Sequence, residues 1–342
     1  MSDPKSTKTA LITGTAGFIG FHLAKALLDA GYRVIGFDAL TDYYDVLLKQ
    51  RRHQMLLQNA GFSAVEERLE TPGVLRGLMA EHTPDLVVHL AAQAGVRYSI
   101  DEPRSYVDSN LIGTFELLEA LRAHPPKHAM IASSSSVYGA NTDLPYAEHD
   151  KADYQLSFYG ATKKATEAMA HSYAHLYGLP ITMFRFFTVY GPWGRPDMAI
   201  FKFTKAILAG QPIDVYNHGD MRRDFTFVED LVKALADLAD IAPTVPQVDE
   251  DDRAPGQSPA APWRVVNIGN NQPVPLTAFI DAIETAIGQK AVRNLMPMQD
   301  GDVPATWADC TLLTELVDEV PQTPVEEGIA RFVAWYRDYY QV

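Results

Sequence analysis

A doubly wound α/β sheet of parallel strands with a smaller C-terminal lobe is the predicted fold class, and three features of the sequence predict it. Short apolar runs alternate with amphipathic segments from the start. Gly14, Gly17 and Gly20 recur three apart between the first run and the segment after it, and 342 residues suffice for about two domains. The alternation matters most, because a buried parallel strand reads as a short apolar run and its crossover helix as a stripe of 3.6-residue period.

Taken in order, residues 10–13 form the first strand and 18–30 the first helix, in which apolar residues return three or four apart. Strand 33–37 precedes helix 43–57, strand 63–69 precedes helix 74–82, and strand 86–90 precedes helix 105–123. Strand 129–133, helix 159–177 and strand 181–186 complete the sheet. After Val189 the pattern loosens, with Pro and Gly at 191–196, a helix near 199–209 and another at 228–241. Residues 1–188, joined by 226–268, are expected to form the sheet domain, and 189–225 with 269–342 the substrate-binding lobe. The stretch 242–262 carries five prolines and the acidic run Asp249 to Asp252, and reads as a solvated loop.

Composition excludes whole classes of function. Acidic residues outnumber basic ones 43 to 29, a formal charge of −14, which argues against nucleic acid or an anionic membrane as partner, since a phosphate backbone is bound by a basic stripe. The lone Cys310 cannot form an intramolecular disulfide, and zinc sites need several thiolates or a tight histidine set, so a reduced, cytoplasmic setting without a metal is expected. Residues 1–9 are polar and show no signal-peptide pattern, and no apolar run reaches 18 residues, so no membrane span is expected.

Two motifs carry chemistry. In Thr13-Gly14-Thr15-Ala16-Gly17-Phe18-Ile19-Gly20, glycines at a strand-to-helix turn permit a tight bend and close approach of backbone to a pyrophosphate, which the helix N-terminus attracts. Asp38, at the end of the next strand, stands where a ribose-binding acid belongs. Its carboxylate accepts from a ribose 2′-OH and repels a 2′-phosphate, which makes the cofactor NAD. The second motif is Tyr159-Gly160-Ala161-Thr162-Lys163, preceded by Ser133 to Ser136 at the end of the fifth strand. Positions i and i+4 share a helix face, so the Lys163 ammonium can favour a Tyr159 phenolate able to exchange a proton with an alcohol. A Tyr and Lys four apart mean little alone. The preceding dinucleotide turn and serine cluster give them weight.

These residues resemble the extended short-chain dehydrogenase/reductases, Rossmann-fold proteins with TGxxGFIG, a Ser or Thr before VYG, and YxxxK. Within them the chain is most similar to nucleotide-sugar 4-epimerases that act on UDP-glucuronate. The resembling stretches are 13–20, 38–45, 89–97, 159–163, 188–198, 220–228 and 301–305. Of these, Thr-Val-Tyr-Gly-Pro-Trp-Gly-Arg-Pro-Asp-Met at 188–198 is the most specific to uronates. The resemblance implies cofactor contacts at Gly14, Gly17, Phe18, Ile19, Gly20, Asp38, Leu69, Leu90, Ala91 and Ala92. It implies that Ser134 and Tyr159 engage the sugar O4 and that Lys163 binds the nicotinamide ribose. It also implies that Arg223 and Asp302 hold the UDP diphosphate and ribose, that Arg97 binds the substrate, and that Thr188, Arg195, Ser135 and Ser136 meet the uronate carboxylate; the alternative for Arg195 is that it caps the Pro-rich loop or pairs with Asp197. One departure stands out: relatives carry an acid that meets adenine after the third strand, where this chain has Arg68-Leu69.

The implied activity is interconversion of UDP-glucuronate and UDP-galacturonate through a 4-keto sugar, in a homodimer built on helices 105–123 and 159–177. Leu111, Phe115, Leu118, Met169 and Leu176 make these helices more apolar than one core face needs. Sugar 4,6-dehydratases carry an Asp-Glu pair where Ser135-Ser136 stand, and decarboxylases a Ser-Glu before VYG where Ser136 stands. Decarboxylase and a catalytically silent NAD-binding regulator remain the alternatives, the latter opposed by the intact Ser134, Tyr159 and Lys163. Glu167, His171 and His175 share a helix face, but a polar surface or subunit contact is expected there rather than a metal. His89 and His218 are read as hydrogen-bonded structural residues. Trp263, Trp307, Trp335, Tyr336, Tyr339 and Tyr340 are read as core and C-terminal helix packing.

Overall fold

The structure, a computed structural model, describes residues 7–247, 254–299, 301–317 and 322–342. The first βα units run β1 (Thr9–Thr13), α1 (Phe18–Asp29), β2 (Arg33–Asp38), α2 (Val46–Leu57), β3 (Phe62–Glu66), α3 (Val74–His82) and β4 (Leu86–His89). Two short helices, α4 (Tyr98–Asp101) and α5 (Pro103–Tyr106), lead through a π turn at Val107–Ile112 into α6 (Gly113–Ala123). Then come β5 (His128–Ala132), α7 (Phe158–Tyr177), β6 (Ile181–Phe186), β7 (Thr188–Tyr190), α8 (Ala199–Leu208) and β8 (Ile213–Val215). The chain continues through β9 (Arg222–Phe227), α9 (Val228–Leu238), β10 (Trp263–Ile268), β11 (Pro273–Pro275) and α10 (Leu276–Ile287). It ends with β12 (Arg293–Leu295), β13 (Ala305–Thr306), α11 (Thr311–Leu316) and α12 (Val325–Tyr340).

Seven parallel strands make one sheet in the order β10-β6-β5-β4-β1-β2-β3. Both faces are covered. Phe18, Phe21 and Leu27 of α1 pack with Leu231 and Leu235 of α9 on one side, and Leu75, Met79, Leu117, Leu121 and Ala174 of α3, α6 and α7 pack on the other. Strand order reverses between β1 and β4, and such a reversal opens a crevice at the C-terminal strand ends. The lobe is built around β9, which pairs with β7 and β13 in parallel and β11 in antiparallel sense. Phe201, Phe279, Phe332 and Tyr336 fill its core, with Phe225 stacked on Phe279 at 3.8 Å between ring centroids.

Four readings of the sequence need correction, and one strand of the sheet is added. The third strand stops at Glu66 rather than 69, because the Glu67 carboxylate accepts from Arg68 N and Thr71 Oγ1 and turns the chain. The second helix starts at Val46 rather than 43, where Asp45 caps Leu47 N and leaves Tyr43 and Tyr44 in the preceding turn. Helix 105–123 is a longer run from Pro103 with a π turn inside it, and β10 was not foreseen as a strand. The proline-rich loop is not all solvated. Ser258 and Ala261 are buried, and His171 Nε2 and His175 Nδ1 of α7 lie 2.8 Å from Ser258 Oγ and the Ala260 carbonyl. The acidic run Asp249 to Asp252 and residues 1–6 lie outside the described residues.

Candidate active site

The crevice between β1 and β4 is where the glycine turn lies. Gly14 has φ +83°, and a Cβ there would stand 2.8 Å from Ala91 N; one on Gly20 would stand 2.0 Å from the Gly14 carbonyl oxygen. Backbone therefore meets backbone at both places. No side chain caps α1, so the N–H groups of its first turn open onto a cleft lined by Gly14, Gly17, Phe18, Ile19 and Gly20. Asp38 forms part of the same wall, its carboxylate fixed by Ala16 N at 2.9 Å and Leu40 N at 2.8 Å. Leu69, Leu90, Ala91 and Ala92 line the remainder, as does Arg68, whose Nε pairs with Glu70 at 2.5 Å. An uncapped helix end for a diphosphate, a side-chain-free turn before it and a fixed acid for a ribose together fit a dinucleotide.

Ser134 follows β5 in extended conformation and accepts from Ser136 N at 3.2 Å, which opens a tight turn through Ser135 and Ser136. Ser157 caps α7 through Gly160 N, so Tyr159 and Lys163 leave the first two turns of that helix into the cleft. Lys163 is buried and donates to the Ala132 carbonyl at 2.9 Å. Burial pushes its ammonium down to about 8, against the pull of Glu167 one turn on. Burial also raises the Tyr159 phenol above its ordinary value, while the Ser134 hydroxyl and the Arg195 guanidinium draw it back. The sequence assigned that downward pull to Lys163. In the structure the lysine head donates to the strand carbonyl, and the Ser134 hydroxyl and Arg195 guanidinium also favour the phenolate.

A second cleft opens toward the lobe. Arg97, Ser135, Ser136, Thr188, Arg195, Arg223 and Asp302 all line it, and it meets the first at Tyr43, Ser134, Tyr159 and Arg195. Arg97 pairs with Asp302 at 3.3 Å and lies over the Tyr216 ring, and Arg223 donates to the Val303 carbonyl at 2.7 Å. Asp224, next along β9, is fully buried and accepts from Asn270 N, Asn271 N and Ala308 N, which anchors the strand. Arg195 pairs with Asp197 through Nε at 3.0 Å and Nη2 at 2.5 Å.

Three residues of this region had no role in the sequence reading. Tyr43 donates to Asp197 Oδ2 at 3.2 Å. Arg52, fully buried, donates to the carbonyls of Ala16, Trp193 and Gly194 and to Tyr44 Oη. Asn110, in the π turn, bonds the Gln93 backbone and Thr162. Apart from Tyr44, eight residues before Arg52, the partners are remote in sequence, which removes a local signal.

Glu167 is committed elsewhere than to a metal. It accepts Ser133 Oγ at 2.6 Å and Arg185 at 2.9 Å through two nitrogens, and that guanidinium holds its carboxyl ionised against burial. His89 is buried, pairs with Thr13 Oγ1 at 2.8 Å and is pushed down to about 3 by burial, so it is a neutral structural group. Trp335 packs with Trp193 and Tyr339, and Trp263 meets the His171 ring edge.

Comparison with known proteins adds three findings. The model of the NAD dependent epimerase/dehydratase family matches residues 10–243. A probable UDP-glucuronate 4-epimerase of Rhizobium meliloti (strain 1021) is 53% identical over 336 residues, covering 97% of each chain. UDP-glucuronate 4-epimerase 4 of Arabidopsis thaliana is 45% identical over 97% of this chain and 76% of its own. The crystal structure of UDP-glucuronic acid 4-epimerase from Bacillus cereus, in complex with UDP-glucuronic acid and NAD, superposes with a TM-score of 0.86. It is 30% identical and is matched over 97% of this chain and 100% of that one.

Proposed function

The chain belongs to the NAD dependent epimerase/dehydratase family, and from that membership we propose that it interconverts UDP-glucuronate and UDP-galacturonate with NAD as cofactor. The observation that carries this reading is the meeting of two clefts, one fitted to a dinucleotide, at Ser134, Tyr159 and the cationic Arg195. In the proposed division, residues 1–188 with 226–268 carry the cofactor and the remainder carries the UDP-sugar.

The turn from Gly14 to Gly20 and the first turn of α1 would hold the diphosphate, Asp38 the adenosine ribose, and Lys163 the nicotinamide ribose. NAD, when bound, supplies a hydride acceptor for C4 and a positive charge that favours the Tyr159 phenolate. Tyr159 takes the O4 proton, with Ser134 as hydrogen-bond partner, and later gives it back to the inverted alcohol. Arg97, Arg223 and Asp302 retain the UDP while the 4-keto sugar turns over. That intermediate is at risk, because its carboxylate lies β to a ketone and leaves as CO₂ once the C5–C6 bond aligns with the carbonyl π system. Arg195, Thr188, Ser135 and Ser136 are suited to hold the carboxylate out of alignment with fixed donors.

The test is incubation of the purified protein with UDP-glucuronate without added nicotinamide. UDP-galacturonate is the expected product, with NAD released on denaturation. UDP-pentose with CO₂ would identify a decarboxylase instead, and NAD-loaded protein without turnover a silent binder.

We also propose a homodimer in the cytoplasm. Leu118 and Met169 pack into the core, but Phe115 and Leu176 are 45% and 64% exposed on α6 and α7, joined by Ile112 and Tyr177. Such a patch on two adjacent helices suits a second copy. Sedimentation at micromolar concentration is expected to give twice the chain mass; a monomer refutes it. Buried Cys310, the only cysteine, and the formal charge of −14 agree with a reducing compartment and fit neither nucleic acid nor anionic lipid; among the described residues no helix is long and apolar enough to cross a membrane.

A further inference from the structure

Arg195 does not stand alone at the meeting of the two clefts. Asp197, two residues on, takes the Nε–Nη2 edge of its guanidinium through both carboxylate oxygens. Tyr43, from the loop after β2, donates to Asp197 Oδ2 at 3.2 Å, and its ring centre lies 6.0 Å from the guanidinium carbon. All three side chains line the sugar cleft, and Tyr43 and Arg195 line the cofactor cleft as well.

A guanidinium has two edges able to grip a carboxylate, the Nε–Nη edge and the terminal Nη1–Nη2 edge. With the first edge committed to Asp197, the plane of the group is set and only the terminal edge is left for a ligand. The geometry points to Asp197 and Tyr43 as positioning residues that fix the Arg195 plane for the sugar carboxylate. They act through Arg195, and the inference rests on the uronate reading above.

The need for a fixed plane follows from the chemistry. Arg195 on a free side chain could follow the carboxylate as the 4-keto sugar turns, including into the alignment that releases CO₂. A guanidinium tied to Asp197 cannot follow, so the C5–C6 bond keeps its angle. Tyr43 fixes the carboxylate that fixes the arginine. Its phenol is pushed up to about 12 by burial and by the Asp197 charge, so it remains a donor across the working pH range. Tyr43 also places one support of the uronate clamp on the loop that begins with the ribose acid Asp38, which ties the geometry of the sugar carboxylate to the cofactor side of the molecule.

The experiment uses NAD-loaded protein and compares Asp197→Asn and Tyr43→Phe with wild type. It measures KM and kcat for UDP-glucuronate, the ratio of epimer to UDP-pentose, NAD content, and calorimetric binding of UDP, UDP-glucose and UDP-glucuronate. For Asp197→Asn, KM for UDP-glucuronate is expected to rise about tenfold, the scale of one charge-assisted hydrogen bond. The fall in kcat is expected to be smaller, UDP-pentose should appear beside the epimer, and NAD content and UDP affinity should not change. Tyr43→Phe should move the same quantities by about two- to threefold, since it leaves the Arg195–Asp197 pair in place and removes only its outer support, and it keeps the inference testable should Asp197→Asn not fold. Wild-type KM and product ratio in both variants would overturn the inference. So would loss of NAD and UDP binding in step with uronate binding, which marks a merely structural pair. Wild type separates the two levels: equal affinity for UDP-glucose and UDP-glucuronate removes the uronate reading itself, whereas discrimination preserved in Asp197→Asn removes only the clamp.

Discussion

Tyr159 and Lys163 share a face of α7, and burial acts on both in the sense that disfavours charge: the phenol rises and the ammonium falls to about 8. A phenolate formed there is costly until a positive charge joins it, which restrains proton abstraction before the cofactor is loaded. Tyr159→Phe deletes only the hydroxyl of the proposed proton carrier, so kcat should fall by roughly a thousandfold, within the range general acid–base groups contribute. NAD should remain bound, because the diphosphate cradle we propose is the α1 turn. Activity assays with NAD determination after denaturation check this, and a variant that loses NAD in proportion to activity would show that the hydroxyl serves binding. Ser134, Tyr159 and Lys163 were legible in the sequence because their relation is local, an i, i+4 pair beside a strand end. The Arg195–Asp197 pair, two residues apart, was legible as well, but the Tyr43 contact was not, since 154 residues separate Tyr43 from Asp197 and only the fold makes them neighbours. Spacing puts the Lys163 head on the Tyr159 face but cannot show that it also donates to the Ala132 carbonyl.

Six of the seven strands of the first sheet were readable because a strand buried on both faces has to be a short apolar run, whereas the edge strand β10, with Arg264 and Asn267 in it, was not. The lobe strands were not, being two to six residues long and polar where they meet the cleft; β9 begins Arg222-Arg223-Asp224 and still forms the centre of its sheet. The π turn before α6 left no trace in the periodicity, because Asn110 bonds into the turn after β4 rather than along its own helix. One element-level consequence concerns α2. Its Arg52 is a buried cation that pairs with no carboxylate among the described residues, and it spends its donors on the dinucleotide turn at Ala16 and on the Trp193–Gly194 turn, where Trp193 has φ +61°. Arg52→Met would leave three carbonyls without that donor, a loss of about 2–4 kcal/mol. Both turns loosen together, so the expected result is a lower denaturation midpoint with NAD lost on gel filtration. Arg52→Lys should recover part of each, because a point charge cannot span the same fork of acceptors. Full NAD retention in Arg52→Met would show that the turns hold without this staple.

At the scale of the whole molecule, the sheet and the α9 return are joined by a histidine that must stay neutral. His128, buried at the start of β5, lies 3.1 Å from the Ala239 carbonyl through Nδ1 and 2.8 Å from Thr182 Oγ1 through Nε2. A carbonyl only accepts, so Nδ1 carries the proton and Nε2 accepts from the threonine hydroxyl. Thr182 Oγ1 in turn accepts from Arg264 Nε at 3.1 Å. Protonating Nε2 would set a donor against a hydroxyl that already serves a cation, in a site closed to water. Burial accordingly pushes His128 down to about 4, aided by Arg264 and opposed by the Ala239 carbonyl and by Asp240. The folded pKa lies below the unfolded value of 6.5, so between them the unfolded chain binds a proton that the folded chain refuses. Stability is therefore complete above pH 6.5 and falls as pH drops toward 4, and at pH 5 this group accounts for about 2 kcal/mol of the loss. Urea midpoints at pH 7 and pH 5 with saturating NAD should show the drop in wild type. His128→Gln starts lower at pH 7, since one of two hydrogen bonds is lost, but its difference between the two pH values should shrink by that amount. An undiminished difference would move the acid sensitivity to other groups, with His89, held at about 3 beside Thr13 at the dinucleotide turn, the next to replace.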